Sequence, residues 1–300
     1  MHAEPQPASL PLPGGSDGAT VRLHPLLVAR TQGPDAYLHR ETGRLAGLHS
    51  IGVGVGEDRK VEIPYVAFLV EHPTAGRLLI DTAFHASVAV DPKQNLGRFI
   101  AQVMKPRMEP GEAIPAQLRA RGIEPSEIRT VLMTHLHADH ASGIAEFPGA
   151  TFLVSHAEWR AATETPRPLL HGYVRRNFDH AFDFRTIDFD GAGIDSHATF
   201  GRGVDVFGDG SVVCVSTPGH TLGHMSVVLR LGAREALIAG DAIYTRRTLD
   251  EGVLPYRVED EHLFRRSLRE IQIYAEQTPD ALIVPGHDSK AWGELDAVYE

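Results

Sequence analysis

The stretch Thr134-His135-Leu136-His137-Ala138-Asp139-His140 directly follows the apolar run Val131-Leu132-Met133. Three imidazoles and a carboxylate stand close together where a short buried strand would run out, and we read them as half of a metal site. In extended backbone alternate side chains share a face, so His135 and His137 converge on one ion. Asp139 and His140 come after the chain has turned and address a second.

Three later turns repeat the device. Val212 to Ser216 leads into Thr217-Pro218-Gly219-His220, Leu237-Ile238-Ala239 into Gly240-Asp241, and Ile283-Val284 into Pro285-Gly286-His287. A buried strand followed by glycine and then His or Asp carries the polar group to a sheet edge, where functional groups on loops gather over a rigid scaffold. The donor set is then His135, His137, Asp139, His140, His220, Asp241 and His287. Seven donors exceed the needs of one tetrahedral zinc; they suit two ions sharing a bridging carboxylate, each with an open position for water or substrate. No cysteine belongs to the set, which argues against a structural zinc site.

The elements that must position these groups are legible in outline. Residues 1–20, rich in Pro, Gly and Ser, are expected to form a disordered tail, with a single domain over 21–300. Val21 to His24 and Leu26 to Val28 read as edge-type strand. Pro64 to Val70 and Arg77 to Asp81 read as a hairpin. Asp81 ends that hairpin, either as a turn cap or as a support beneath the metal site, and the residues alone leave both open. A loop or lid is expected from Phe84 to Pro110, then a helix over Glu112 to Arg121 with Pro115 in its first turn and a strand over Thr130 to Met133. Ala150 to Ser155 reads as a strand, and His156 to Ala162 opens a helix. Residues 163–200 show no clean period and are expected to be an inserted loop or lid. Val204 to Val206, Ser211 to Ser216, Ser226 to Leu231 and Glu235 to Ala239 are further strands, Glu261 to Glu276 is the clearest helix, and Ala281 to Val284 is a last buried strand. Strands and helices alternating in this way indicate an α/β architecture.

Bulk properties exclude several classes. The 300 residues are 42% hydrophobic and 23% charged, which suits a globular chain with a substantial core. A formal charge of −10 without a Lys/Arg block removes the attraction that drives phosphate-backbone binding, so nucleic acid is not an expected partner. No run approaches the roughly 18 apolar residues of a membrane span, and no membrane partner is expected. The N-terminus has no charged region followed by an apolar one, which predicts a cytoplasmic protein. The single cysteine, Cys214, lies in an apolar run and is expected to pack as a small hydrophobe.

The run H-x-H-x-D-H at 135–140, T-P-G-H-T-x-G-H at 217–224, G-D at 240–241 and G-H at 286–287 resembles, in order, the motifs of the metallo-β-lactamase superfamily. Its extent is nearly the whole chain from about residue 60. The resemblance implies an αββα sandwich of two mixed β-sheets flanked by helices, with a dinuclear metal site at one edge, and makes Asp81 a support for that site. The segment Gly240-Asp241-Ala242-Ile243-Tyr244-Thr245 and the ending Pro285-Gly286-His287-Asp288 look like the N-acyl homoserine lactone lactonases, the quorum-quenching branch. In those enzymes a tyrosine at the position of Tyr244 points to the substrate carbonyl. Two features depart from the pattern: Asp81-Thr82-Ala83 stands for the usual Asp-Thr-Gly, and the 80 positions between His140 and His220 are more than in the short lactonases.

The resemblance implies a hydrolase that opens a small-molecule lactone through a dizinc-bound hydroxide. His135, His137 and His220 would hold one zinc, and Asp139, His140 and His287 the other, with Asp241 between them; Fe, Mn or Co are substitute ions. Tyr244 would polarise the carbonyl and Asp139 pass a proton to the leaving oxygen. A homodimer is compatible with the sequence. The alternatives are a phosphotriesterase of the methyl-parathion type and a glyoxalase II-like thioesterase, which shares the ligand set but appends a helical domain after the last ligand. Class B β-lactamases commonly carry Cys where Asp241 stands, and flavodiiron enzymes replace a histidine of the motif with a carboxylate where His137 is intact.

Overall fold

A computed structural model describes residues 2–300, which form two mixed sheets flanked by helices. One sheet contains β1 (Gln6–Pro7), β2 (Arg22–Pro34), β3 (Lys60–His72), β4 (Gly76–Ile80), β5 (Ile128–Leu132), β6 (Thr151–Ser155) and β7 (Asp183–Ile187). Their spatial order is β1-β7-β6-β5-β4-β3-β2. The other contains β8 (Asp195–His197), β9 (Phe200–Asp205), β10 (Val212–Ser216), β11 (Met225–Arg230), β12 (Glu235–Gly240) and β13 (Leu282–Pro285), ordered β13-β12-β11-β10-β9-β8.

Three apolar layers hold this arrangement. Between the sheets, Phe68, Leu78 and Ile80 of the first meet Cys214, Val227 and Ile238 of the second, all buried. Helices Pro92–Met104 and Ile114–Ala120 cover the outer face of the first sheet through Leu96, Ile100, Ile114 and Leu118. Helix Glu261–Gln277 covers the outer face of the second through Phe264, Leu268, Ile271 and Tyr274. Each such side chain contributes roughly 1.5–3 kcal/mol when fully buried. Asp260 caps the latter helix by accepting the Leu263 N–H at 2.9 Å. Its buried stripe runs 264, 267, 268, 271 and 274, as a 3.6-residue period requires.

Several expectations are corrected. The N-terminal stretch is ordered: β1 pairs in parallel with β7, the Leu12 N–H donates to Val206 O at 2.7 Å, and Ala8, Leu10 and Leu12 pack against the inter-sheet layer. The alternation of those three apolar residues is a strand signal that the averaged composition hid. The 84–110 loop contains helix Pro92–Met104, started by the Asp91 side chain and Pro92 and kinked at Gly97. Within 163–200, Asp183–Ile187 is an interior strand of the first sheet, paired with β6 and β1, and Asp195–His197 edges the second. The two short strands expected over 21–28 are one strand, β2, carrying a bulge between Leu27 and Ala29.

Strand direction places the site. β4 and β5 are parallel; β12 is antiparallel to β11, as β11 is to β10, and parallel to β13. Hence β10, β12 and β13 all end at the same edge of their sheet. Ligand sites in sheets with parallel strands favour such carboxyl ends.

Candidate metal centre

The seven donors predicted from sequence come together at that edge. Donor atoms of His135, His137 and His220 lie within 4.8 Å of one another, as do those of His135, His140 and Asp241, and those of Asp139, His140 and His287. His220 Nε2 faces His137 Nδ1 at 3.0 Å, a separation suited to two nitrogens that each stand about 2.0–2.1 Å from one ion. Asp241 spans the two groups: its Oδ2 is 3.1 Å from His220 Nε2, and its Oδ1 is 3.2 Å from His287 Nε2 and 3.4 Å from His140 Nε2. Asp139 Oδ2 lies 3.6 Å from His287 Nε2.

Backbone and supports explain why these groups converge. Asp81, one residue past β4, takes φ 59°, a left-handed conformation that Asp tolerates better than most residues. Its carboxylate accepts from the Thr134 N–H and hydroxyl, each at 2.7 Å, and pairs with His140 Nδ1 at 2.8 Å. Of the two roles left open by the residues alone, it therefore supports the site. His287 Nδ1 lies 3.0 Å from the Pro64 carbonyl, which fixes that ring as well.

One supporting residue escaped the sequence reading. His224 is fully buried; its Nε2 accepts the Asp241 N–H at 3.0 Å, and its Nδ1 lies 2.9 Å from the Thr217 hydroxyl. Thr217 continues to Ser226 at 2.8 Å, and Ser226 donates to the Ala239 carbonyl at 2.9 Å. The backbone is thus held two residues before Asp241 and at Asp241 itself. Gly240, at φ 52°, is needed between them, because a Cβ there would stand 2.8 Å from His224 Nε2. The available signal was the second histidine of T-P-G-H-T-x-G-H.

The electrostatics fit a cation. Burial drives His135 and His137 well below the usual histidine range and His220 down to about 4, which keeps these imidazoles in the neutral, ligating form. Burial opposes the charge of Asp241, but His287, His220 and His140 outweigh it and hold the carboxyl well below its ordinary value. Nε2 of His135 and His140 and Oδ1 of Asp241 are buried without a hydrogen-bond partner. A buried polar atom left so costs about 1–3 kcal/mol, and several clustered around one carboxylate are arranged as the donors of a metal ion would be.

Tyr244 closes the site. Its ring packs edge-on against His220 at 5.4 Å and His287 at 5.2 Å, one from each donor group, and its hydroxyl lies 3.3 Å from His220 Nδ1. The Tyr37 ring is 6.1 Å away. The Tyr173 ring stands 5.0 Å from that of His137, so the 163–200 segment reaches the candidate donors directly.

A two-sheet sandwich with these donors at its strand ends defines a metallo-hydrolase fold, and the Metallo-beta-lactamase superfamily model matches residues 62–287. The chain belongs to that superfamily. It is 34% identical over 254 residues to the N-acyl homoserine lactonase AttM of Agrobacterium fabrum, covering 84% of this chain and 92% of that protein. Among solved structures it is similar to an N-acyl homoserine lactone hydrolase with the product N-hexanoyl-L-homoserine bound at the catalytic metal center. That likeness has a TM-score of 0.74 at 21% identity over 92% of this chain and 97% of the other. The dizinc quorum-quenching lactonase AidC aligns with a TM-score of 0.61 at 13% identity over 91% and 92% of the two chains.

Proposed function

We propose that this chain is a metal-dependent hydrolase that opens the ring of a lactone, with N-acyl homoserine lactones as its substrate class. The carrying observation is Asp241, whose two oxygens face histidines of two separate donor groups. The extent and identity of the match to a lactonase supports the substrate class. The donors fit two zinc ions: His135, His137 and His220 for one, Asp139, His140 and His287 for the other, with Asp241 shared. A metal held there would supply Lewis acidity toward a carbonyl and would lower the pKa of a bound water toward neutrality.

The protein's own groups complete the reaction. Water adds to the lactone carbonyl carbon, the ring C–O bond breaks, and one water is gained overall. The Tyr244 hydroxyl donates a hydrogen bond to the carbonyl oxygen as negative charge develops on it. Asp139, whose carboxyl is pushed up by burial against the pull of His140 and His287, takes the proton released by water and returns it to the departing ring oxygen. The turn at 168–173, which presents half-exposed Leu169 and Leu170 beside the His137 side, shapes the pocket for the acyl chain. No helix among the described residues is long and apolar enough to cross a membrane; a cytoplasmic location suits a chain whose single cysteine, Cys214, is buried and free.

The test is product mass analysis on homoserine lactones of graded chain length, with a phosphotriester as control. Gain of one water supports the proposal. Loss of the acyl chain, or turnover of the phosphotriester alone, rejects it. His137→Ala is expected to abolish ring opening together with metal content.

A further inference from the structure

Glu158 is a fully buried carboxylate outside the seven donors. It lies in the first turn of helix His156–Glu164, directly after β6. Its Oε1 accepts the Leu136 N–H at 2.9 Å, the peptide between His135 and His137. Its Oε2 accepts from the Thr221 hydroxyl at 2.5 Å, next to His220. The three histidines so flanked are one of the donor groups, and they come from opposite sheets: His135 and His137 follow β5, and His220 follows β10.

The packing shows a built contact. A Cβ on Gly223 would stand 1.9 Å from the Glu158 nitrogen, so only glycine lets the 217–224 loop lie against this helix start. The Tyr173 hydroxyl lies beside Glu158 and Thr221, while its ring faces His137. Burial pushes the Glu158 carboxyl up to about 7, against the Thr221 and Leu136 hydrogen bonds. A buried carboxyl costs several kcal/mol unless its oxygens are satisfied, and aliphatic side chains would serve packing alone.

We propose that Glu158 is a positioning residue for the metal centre: by tying the Leu136 peptide to Thr221 it sets the mutual orientation of His135, His137 and His220. The proposal rests on the metal reading above. Groups that orient ligands typically contribute 10–100-fold to metal affinity, and Glu158 does so for two ligand loops at once.

The test uses full-length protein loaded with cobalt(II), whose visible absorption reports ligand geometry, compared across wild type, Glu158→Ala, Glu158→Gln and Thr221→Val. Glu158→Ala is expected to lower cobalt affinity about 10- to 100-fold and to alter the spectrum. Glu158→Gln is expected to restore both nearly to wild type, since its amide oxygen can accept from Leu136 and its NH2 can donate to Thr221. Thr221→Val, which loses one arm, is expected to fall between. A merely structural role would lower thermal stability and leave the spectrum of the folded protein unchanged, and that result overturns the proposal. So does a Gln variant as impaired as the Ala variant. If Glu158→Ala does not fold, Thr221→Val decides: wild-type affinity and spectrum there overturn the proposal. Failure of wild type to take up cobalt overturns the metal reading and this proposal with it, whereas cobalt uptake indifferent to residue 158 overturns only the latter.

Discussion

His140 Nδ1 stands 2.8 Å from Asp81 Oδ2, and the same carboxylate takes both the N–H and the hydroxyl of Thr134. An ionised carboxylate only accepts, so it requires the imidazole proton on Nδ1 and leaves the Nε2 lone pair facing Asp241. Tautomer, ring orientation and the strand end are set by one side chain.

Asp81→Asn tests that coupling without adding backbone strain, since Asn also tolerates the left-handed conformation. The amide NH2 would face His140 Nδ1 and favour a proton on Nε2, the ligating atom. Metal content at limiting zinc, read by mass spectrometry, is expected to correspond to about a 10- to 100-fold loss of affinity. Full loading at wild-type affinity would remove Asp81 from the site's machinery.

Tyr244→Phe keeps the ring contacts with His220 and His287 and removes only the hydroxyl. Loss of one donor to a developing oxyanion costs up to about 10²–10³ in kcat. With metal sharing that charge, we expect a fall nearer tenfold at unchanged metal content. Steady-state kinetics on one homoserine lactone would show it; an unchanged kcat would assign the hydroxyl to orienting His220 alone.

Chelation is expected to abolish ring opening and to lower Tm, because the buried donors then lack their partner and binding free energy is also folding free energy. Zinc added back is expected to restore both. A thermal scan indifferent to chelator would mean that the donor cluster is stable empty.

Glu146 predicts a pH effect from a residue outside the seven candidate donors. Its Oε1 accepts the Ala86 N–H at 3.0 Å, its Oε2 is buried without a partner, and burial pushes its carboxyl from 4.5 up to about 7. The native state thus prefers the protonated form: that stability is complete below about pH 4.5 and is lost as pH rises to about 7. Glu146→Gln, permanently neutral, is expected to match wild type at pH 4.5 and to exceed it at pH 8 by on the order of 1–3 kcal/mol. Urea unfolding at the two pH values measures the gap, and a gap that does not widen with pH rejects the assignment.

The seven candidate donors were legible as a group because their types stand at short intervals after buried runs: His135, His137, Asp139 and His140 just beyond β5, and His220, Asp241 and His287 each after a glycine that follows such a run. Helix Glu261–Gln277 was legible for the same reason, its period being local. Helix Pro92–Met104 was not, since Gly97 breaks its pattern. Nor was β7, whose alternation over 183–187 lies in a segment otherwise short of pattern.

What the sequence determined by itself was the chemistry available: seven candidate nitrogen and oxygen donors, a tyrosine three residues after one of them and a sheet to carry them. Tertiary structure decided how they are shared. Which histidines face which oxygen of Asp241, the support of Asp81 for His140, the hold of His224 on Asp241 and the link from Glu158 to both ligand loops all join residues on different strands. Those contacts depend on strand direction and sheet packing, which set distances between residues far apart in the chain; local spacing sets only which side chains share a face.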